Sequence, residues 1–200
     1  MKKILLLSFL IFGVIFGFSQ KNNGNDGYRM IRATKSDIRW WGHKVVKSEA
    51  TTHTGGLKLK MGKFQFKDRK LIGGEFLIDM RALTVTDIEG EQQKELLADL
   101  KSTNFFDVRK FPMAKFEITK ILPLKSDDYN SEIIGNITIK GIRKTISFPA
   151  MVTTDDYKVN INSAKFSLNR QDFDVFYKSS IRDFFIKDEM DMQFSVSSEK

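Results

Sequence analysis

Leu57-Lys58-Leu59-Lys60-Met61-Gly62-Lys63-Phe64-Gln65-Phe66-Lys67 alternates apolar with basic or polar side chains for most of its length. A period of two puts successive side chains on opposite faces of a strand, so this stretch reads as a β-strand with one buried and one solvated face. The phase is not constant: Leu57, Leu59 and Met61 make one inward set, and Phe64 and Phe66 make the next. A one-residue slip is therefore expected at Gly62, as a β-bulge that bends a long strand. Asp68-Arg69 then makes a tight turn, and Phe76, Ile78 and Met80 form the inward side of the returning strand.

The same alternation continues outward from this hairpin. Further inward sets are Phe116/Ile118, Ile133/Ile137/Ile139, Ile142/Ile146/Phe148 and Met190/Met192/Phe194/Val196. Tyr157/Val159/Ile161 changes phase around Asn162 to give Ala164/Phe166/Leu168. Only Glu91 to Lys101 has helical spacing, with Leu96, Leu97 and Leu100 on one face and acidic residues toward its start. Eight or so one-sided antiparallel strands form either a sandwich or a barrel. Long strands, bulges and the absence of cysteine favour a single all-β, eight-stranded antiparallel barrel with one short helix. Such a barrel is either filled by side chains or holds one small ligand.

The 200 residues suffice for one domain with a real core. With no Cys and two His, thiol catalysis, cysteine-held metals and a three-histidine zinc site are excluded. The net charge is +8, and loss of Lys2 and Lys3 with a leader takes it to +6. The basic residues alternate with apolar ones, as on the solvated face of strands, and no nucleic-acid motif accompanies them. Transient contact with an anionic membrane surface is compatible with this charge.

Met1-Lys2-Lys3 and the apolar run Ile4 to Phe18 read as a signal peptide (1–19), with Gly17 and Ser19 before the cut and Gln20 as the mature N-terminus. No Cys follows to carry a lipid anchor, so the expected product is periplasmic or secreted. Residues 20–27 make a flexible lead-in, and 28–200 form the barrel domain.

No nucleophile elbow, zinc-protease helix, phosphate loop or calcium loop is present. The carboxylates fall mostly on polar strand faces, and no catalytic residue is expected. Of Trp40-Trp41, one ring packs inward and the other lies on the sheet. His53 is either a hydrogen-bonded strand histidine or a contact to a ligand head group. Phe105-Phe106 plugs the junction of helix and barrel. Arg170 is expected in a buried structural ion pair with Asp172 or Asp174.

Five stretches, taken in order, resemble the YceI-like family of extracytoplasmic lipid-binding proteins. They are His53-Thr54-Gly55-Gly56; Leu96 to Asp107; Phe111-Pro112-Met113-Ala114-Lys115-Phe116; Gly135 to Lys144; and Phe166 to Phe173. The chain departs from the family in its Trp40-Trp41-Gly42-His43-Lys44 opening and in Asp174, where glycine is common after the aromatic residue. The resemblance implies a lipocalin-like barrel whose lumen holds a long isoprenoid chain, of a quinone or a polyprenyl phosphate, with no required cofactor and no catalytic residues.

The residues themselves agree, because Phe- and Met-rich inward faces make an adaptable apolar interior. The expected wall is Trp40, Phe64, Phe76, Ile78, Phe106, Phe116, Ile139 and Phe166, with His53 as a polar contact near the opening. A homodimer is compatible with the sequence. Two other readings stay open: a structural β module with a filled core, and an enzyme using a pair of carboxylates on the same barrel.

Overall fold

The computed structural model describes residues 27–46, 49–177 and 184–198. The signal peptide and most of the lead-in lie outside them. The strands are β1 (Tyr28–Arg32), β2 (Lys35–Val46), β3 (Glu49–Lys67), β4 (Lys70–Asp79), β5 (Met113–Pro123), β6 (Ser131–Ile139), β7 (Ile142–Asp155), β8 (Lys158–Ser163), β9 (Phe166–Asn169) and β10 (Phe184–Ser198). The helix α1 (Gly90–Lys101) stands between β4 and β5.

All pairings are antiparallel. β2, β10, β8, β7, β6, β5 and β4 follow one another around the ring, and β3 closes it by pairing with both β2 and β4. This is the expected eight-stranded barrel, with two additions. β1 pairs with the far half of β3, and β9 continues the track of β8 along β10.

Three two-residue turns at Asp68-Arg69, Lys140-Gly141 and Asp156-Tyr157 have positive φ at both residues. That geometry matches the right-handed twist of the strands they join. The first is the turn expected from the sequence.

The slip in β3 falls earlier than expected. Leu59 pairs with Ile78 and Met61 with Leu77, so the bulge lies between Leu59 and Met61. Met61 consequently points outward and is 46% exposed, and the buried position passes to Gly62. The glycine answers a packing constraint: a Cβ there would sit 2.7 Å from the Phe76 ring. The phase change after β8 likewise falls between Ser163 and Ala164, where the strand breaks, rather than at Asn162. The Ala164 amide donates to the Pro149 carbonyl at the break.

Phenylalanines fill one end of the barrel. Phe64 and Phe66 are fully buried. Phe148 stacks on Phe166 with centroids 4.5 Å apart and meets Phe194 edge-on at 5.2 Å. At the other end the interior is looser, and α1 lies against it through buried Leu100 and half-buried Leu96 and Leu97.

Candidate functional site

Three cavities run from the aromatic end of the lumen to the outside. The innermost, about 50 Å³, is walled by Phe76, Phe116, Phe148, Phe166, Met192 and Phe194 among others. The middle one, about 90 Å³, is walled by Trp40, Met80, Phe106, Ile139, Leu168 and Met190 among others. Ile78, Ile137 and Met192 line both and form a waist between them. The third, about 450 Å³, is the mouth beside α1, and it shares Trp40, Leu100, Phe105 and Ile186 with the middle chamber. The alternation of β2, β4, β5, β6 and β10 builds this sequence of spaces, because every second residue of each strand faces inward.

Seven of the eight expected wall residues line the two lumen chambers: Trp40, Phe76, Ile78, Phe106, Phe116, Ile139 and Phe166. Phe64 lies outside all three cavities, fully buried and edge-on to Phe76 at 5.4 Å. It supports the wall from behind. Met190 and Met192 stand in the lumen as well, and their place in the alternation of β10 was the signal for them.

Trp40 points inward, and its indole Nε1 donates to the Thr84 carbonyl at 3.1 Å. Trp41, on the outer face, carries the Lys165 ammonium over its ring at 3.8 Å. The His53-Thr54-Gly55-Gly56 stretch owes Gly55 to the segment laid over it. Thr84 and Thr86 donate their amides to the carbonyls of Gly56 and Thr54. A Cβ at position 55 would lie 1.8 Å from the Thr84 carbonyl oxygen and 2.6 Å from the Trp40 indole nitrogen.

That same segment positions Asp87 beside His53. His53 Nδ1 lies 2.8 Å from Asp87 Oδ2, and the Thr54 amide donates to Asp87 Oδ1 at 2.7 Å. Burial pushes the Asp87 carboxyl up, but the two hydrogen bonds prevail and hold it below the usual carboxylate range. An ionised Asp87 can only accept, so His53 Nδ1 carries the proton of this hydrogen bond. His53 lines the mouth.

The rest of the mouth was not legible in the sequence. Lys44 comes from β2, Gln92, Glu95 and Asp99 from α1, and Tyr177 from the segment after the turn at Arg170–Phe173. Nothing in the sequence pairs these segments; only the docking of α1 across the barrel end brings them together. Burial, reinforced by the charge of Asp99, pushes the Tyr177 phenol up, so it stays protonated at neutral pH.

Arg170 is buried as expected, but its partners differ from the expected ones. Its guanidinium pairs with Asp188 at 2.8 Å and donates to the carbonyls of Val175, Ile186 and Lys187. Asp172 instead faces Lys144 at 3.8 Å, and Asp174 occupies the left-handed turn at φ 53°. The side chain reaches back under β10, where the interrupted pairing with β2 between Ile186 and Met190 frees backbone carbonyls. Asp174 thus stands in the conformation that glycine adopts most cheaply and that aspartate tolerates.

On the outer wall, His43 Nδ1 lies 2.9 Å from the Thr52 hydroxyl and Nε2 lies 3.2 Å from Asp191, which also accepts from Ser167. This chain stitches β2, β3, β9 and β10 together. Among the described residues, Glu189 is the one carboxylate lining the lumen chambers. Among the described residues, no group of three or more His, Asp or Glu is placed to hold a metal ion, and no helix is long and apolar enough to cross a membrane.

An eight-stranded antiparallel barrel, plugged with aromatic rings at one end and open through a polar mouth at the other, defines a lipocalin-like barrel with an apolar lumen. The YceI-like domain matches residues 30–198, and the chain belongs to that family. A curated relative, a UPF0312 protein of Pseudomonas putida, is 26% identical over 89 residues, covering 44% of this chain and 43% of the relative. The match thus spans less than half the length of that relative.

Burkholderia cenocepacia BcnA has the same fold, with a TM-score of 0.63 at 18% identity, covering 82% of this chain and 96% of that one. So does a polyisoprenoid-binding domain from Saccharophagus degradans implicated in plant cell wall breakdown. Its TM-score is 0.57 at 10% identity, over 86% and 98% of the two chains.

Proposed function

We propose that this protein is an extracytoplasmic carrier that holds a long-chain apolar lipid of isoprenoid type in its lumen, with the head group at the mouth beside α1. The observation that carries this reading is the continuity of the apolar chambers with a polar opening. The family, and the shared fold of the polyisoprenoid-binding Saccharophagus domain, support it.

The lumen is narrow as it stands. A dry apolar cavity of about 150 Å³ takes up one benzene, and neither chamber alone reaches that size. A long chain enters only as side chains turn aside, and the unbranched Met190 and Met192 are suited to that. Burying tens of carbons at about 0.8 kcal/mol per CH₂ would nominally exceed the affinity ceiling of roughly 18–21 kcal/mol. Ordering the chain and repacking the lumen offset much of that gain. Phe176 and Phe185 stand exposed next to residues of the mouth, which suits brief contact with a membrane surface during loading.

Native mass spectrometry with lipid extraction, on protein purified from its own cell envelope, tests the proposal. A co-purifying long-chain apolar lipid is expected; protein that stays lipid-free and refuses such lipids on reconstitution overturns it. Ile137→Phe plugs the waist with a residue type the lumen already carries. It should keep the cooperative unfolding transition and lose most of the lipid. Full lipid occupancy in that variant would remove the lumen as the seat. N-terminal sequencing of the same material should begin at Gln20.

A further inference from the structure

Seven large apolar side chains stand exposed among the described residues, and four of them, Tyr28, Met30, Met61 and Ile72, belong to β1, β3 and β4. The register sets them among cations. Tyr28 stands opposite Lys67, and Lys67 opposite Lys70. Met30 stands opposite Gln65, and Gln65 opposite Gly73, with Ile72 in the bulge beside it. Arg32 stands opposite Lys63, and Lys63 opposite Glu75. Phe64 and Phe66 between these positions are fully buried, so the three rows face outward with Met61 just beyond them.

A solvated strand face needs neither feature. Apolar side chains gathered on one face, unlike scattered single ones, mark an interaction surface. Two rows also set like charges directly opposite one another, Arg32 with Lys63 and Lys67 with Lys70, which destabilises a sheet. Glu75 reaches Lys63 at 3.9 Å. Arg32, Lys67 and Lys70 have no ion-pair partner among the described residues, and the Lys67 ammonium lies instead over the Tyr28 ring at 5.1 Å. Asp68 and Arg69, in the turn that joins β3 to β4, offset each other. The rows therefore carry four cations against the one carboxylate of Glu75.

We propose that this face docks the protein on an anionic membrane surface, with Arg32, Lys63, Lys67 and Lys70 meeting lipid phosphates and Tyr28 and Met30 entering the interface between them. Lysine and arginine near an anionic leaflet each add to the attraction. A tyrosine ring with an apolar body and a polar tip suits the boundary between head groups and chains, and methionine adapts to it. A second copy of the chain fits poorly, because a two-fold contact through this face sets the same cations against one another. A protein partner anchors its central side chains in pockets, and none of the lumen chambers or the mouth opens on this face. The face is also remote from the mouth: His53 and Gln65 are 12 residues apart on β3, roughly 40 Å of strand. The inference goes beyond the carrier reading and does not depend on what the lumen holds.

Co-sedimentation of the full mature protein with lipid vesicles tests this. Vesicles of phosphatidylglycerol and phosphatidylcholine in equal parts should bind it about tenfold or more tighter than phosphatidylcholine alone, and added salt should release it. Lys67→Gln with Lys70→Gln should weaken binding by more than about tenfold, since each basic residue near an anionic surface strengthens it about fivefold. The same variant removes a like-charge pair, so its unfolding midpoint should not fall, which separates lost docking from lost fold. Tyr28→Ser with Met30→Ser should weaken binding at every salt concentration, because the apolar contribution is not screened. No binding to the anionic vesicles, equal binding to both kinds, or unchanged binding in the lysine variant overturns the proposal. So does a loss confined to Phe176→Ser with Phe185→Ser, which would assign docking to the rim of the mouth. None of these outcomes decides the carrier reading, which is tested by lipid extraction.

Discussion

Arg170 shows how one side chain can hold an opening in shape. Its guanidinium joins the Val175 carbonyl, just before Phe176 and Tyr177, to the carbonyls of Ile186 and Lys187 on β10. Removing it leaves several carbonyls and Asp188 without their donor at the edge of the middle chamber. Arg170→Ala should lower stability by about 1–3 kcal/mol while the class of lipid bound stays the same. Chemical unfolding with lipid extraction on the same variant checks both halves. Lost binding at an unchanged unfolding midpoint would make Arg170 a ligand contact. That Arg170 would be buried and paired was readable from its place between a strand and a turn. Its partner was not, because Asp188 lies 18 residues away across a strand whose bulge is a tertiary feature.

Among elements, β3 carries the most constraint. Its first half pairs with β2 and with the segment 84–86, and its second half pairs with β1 and β4. Gly55 is the point where the overlying segment and the Trp40 ring both come closest. Gly55→Ala should therefore destabilise the fold by about 1–3 kcal/mol through overpacking, and it should shift the near-ultraviolet signal of Trp40. Unchanged stability and an unchanged tryptophan signal would show that the contact is slack. The strand, its bulge and the returning β4 were legible from alternation, to within a residue or two of the slip. The covering segment was not, because Thr84-Val85-Thr86 is too short to announce its pairing.

For the whole molecule, two stitched carboxylates contribute to the acid response, beside the surface-paired Asp79 and Glu117. Asp87 ties the covering segment to β3, and Asp191 ties β10 to β2 and β9. Burial pushes each carboxyl up, but hydrogen bonds from Thr54 and His53 to Asp87, and from Ser167 and His43 to Asp191, hold both below the usual range. A carboxyl depressed in the folded state stabilises the protein above its unfolded value of about 3.9, and that contribution is lost as pH falls through the folded value. The thermal midpoint should therefore drop below about pH 4, and Asp87→Asn with Asp191→Asn should flatten that drop. An equal acid slope in wild type and variant would assign the loss to other groups.

The sequence by itself determined the eight-stranded ring, the single α-helix, the apolar character of the lumen and most of its wall. Each of these follows from local periodicity, because a strand that buries one face must place every second residue inward wherever its neighbours lie. Tertiary structure alone decided where the lumen opens, which polar groups surround that opening, what Arg170 binds and why Phe64 stands behind the wall. Those outcomes depend on how far apart segments approach one another: α1 across the barrel end, the 84–86 segment over β3, and β10 past the turn at Arg170. Alternation says which way a side chain faces, and only closure of the barrel says what it meets there.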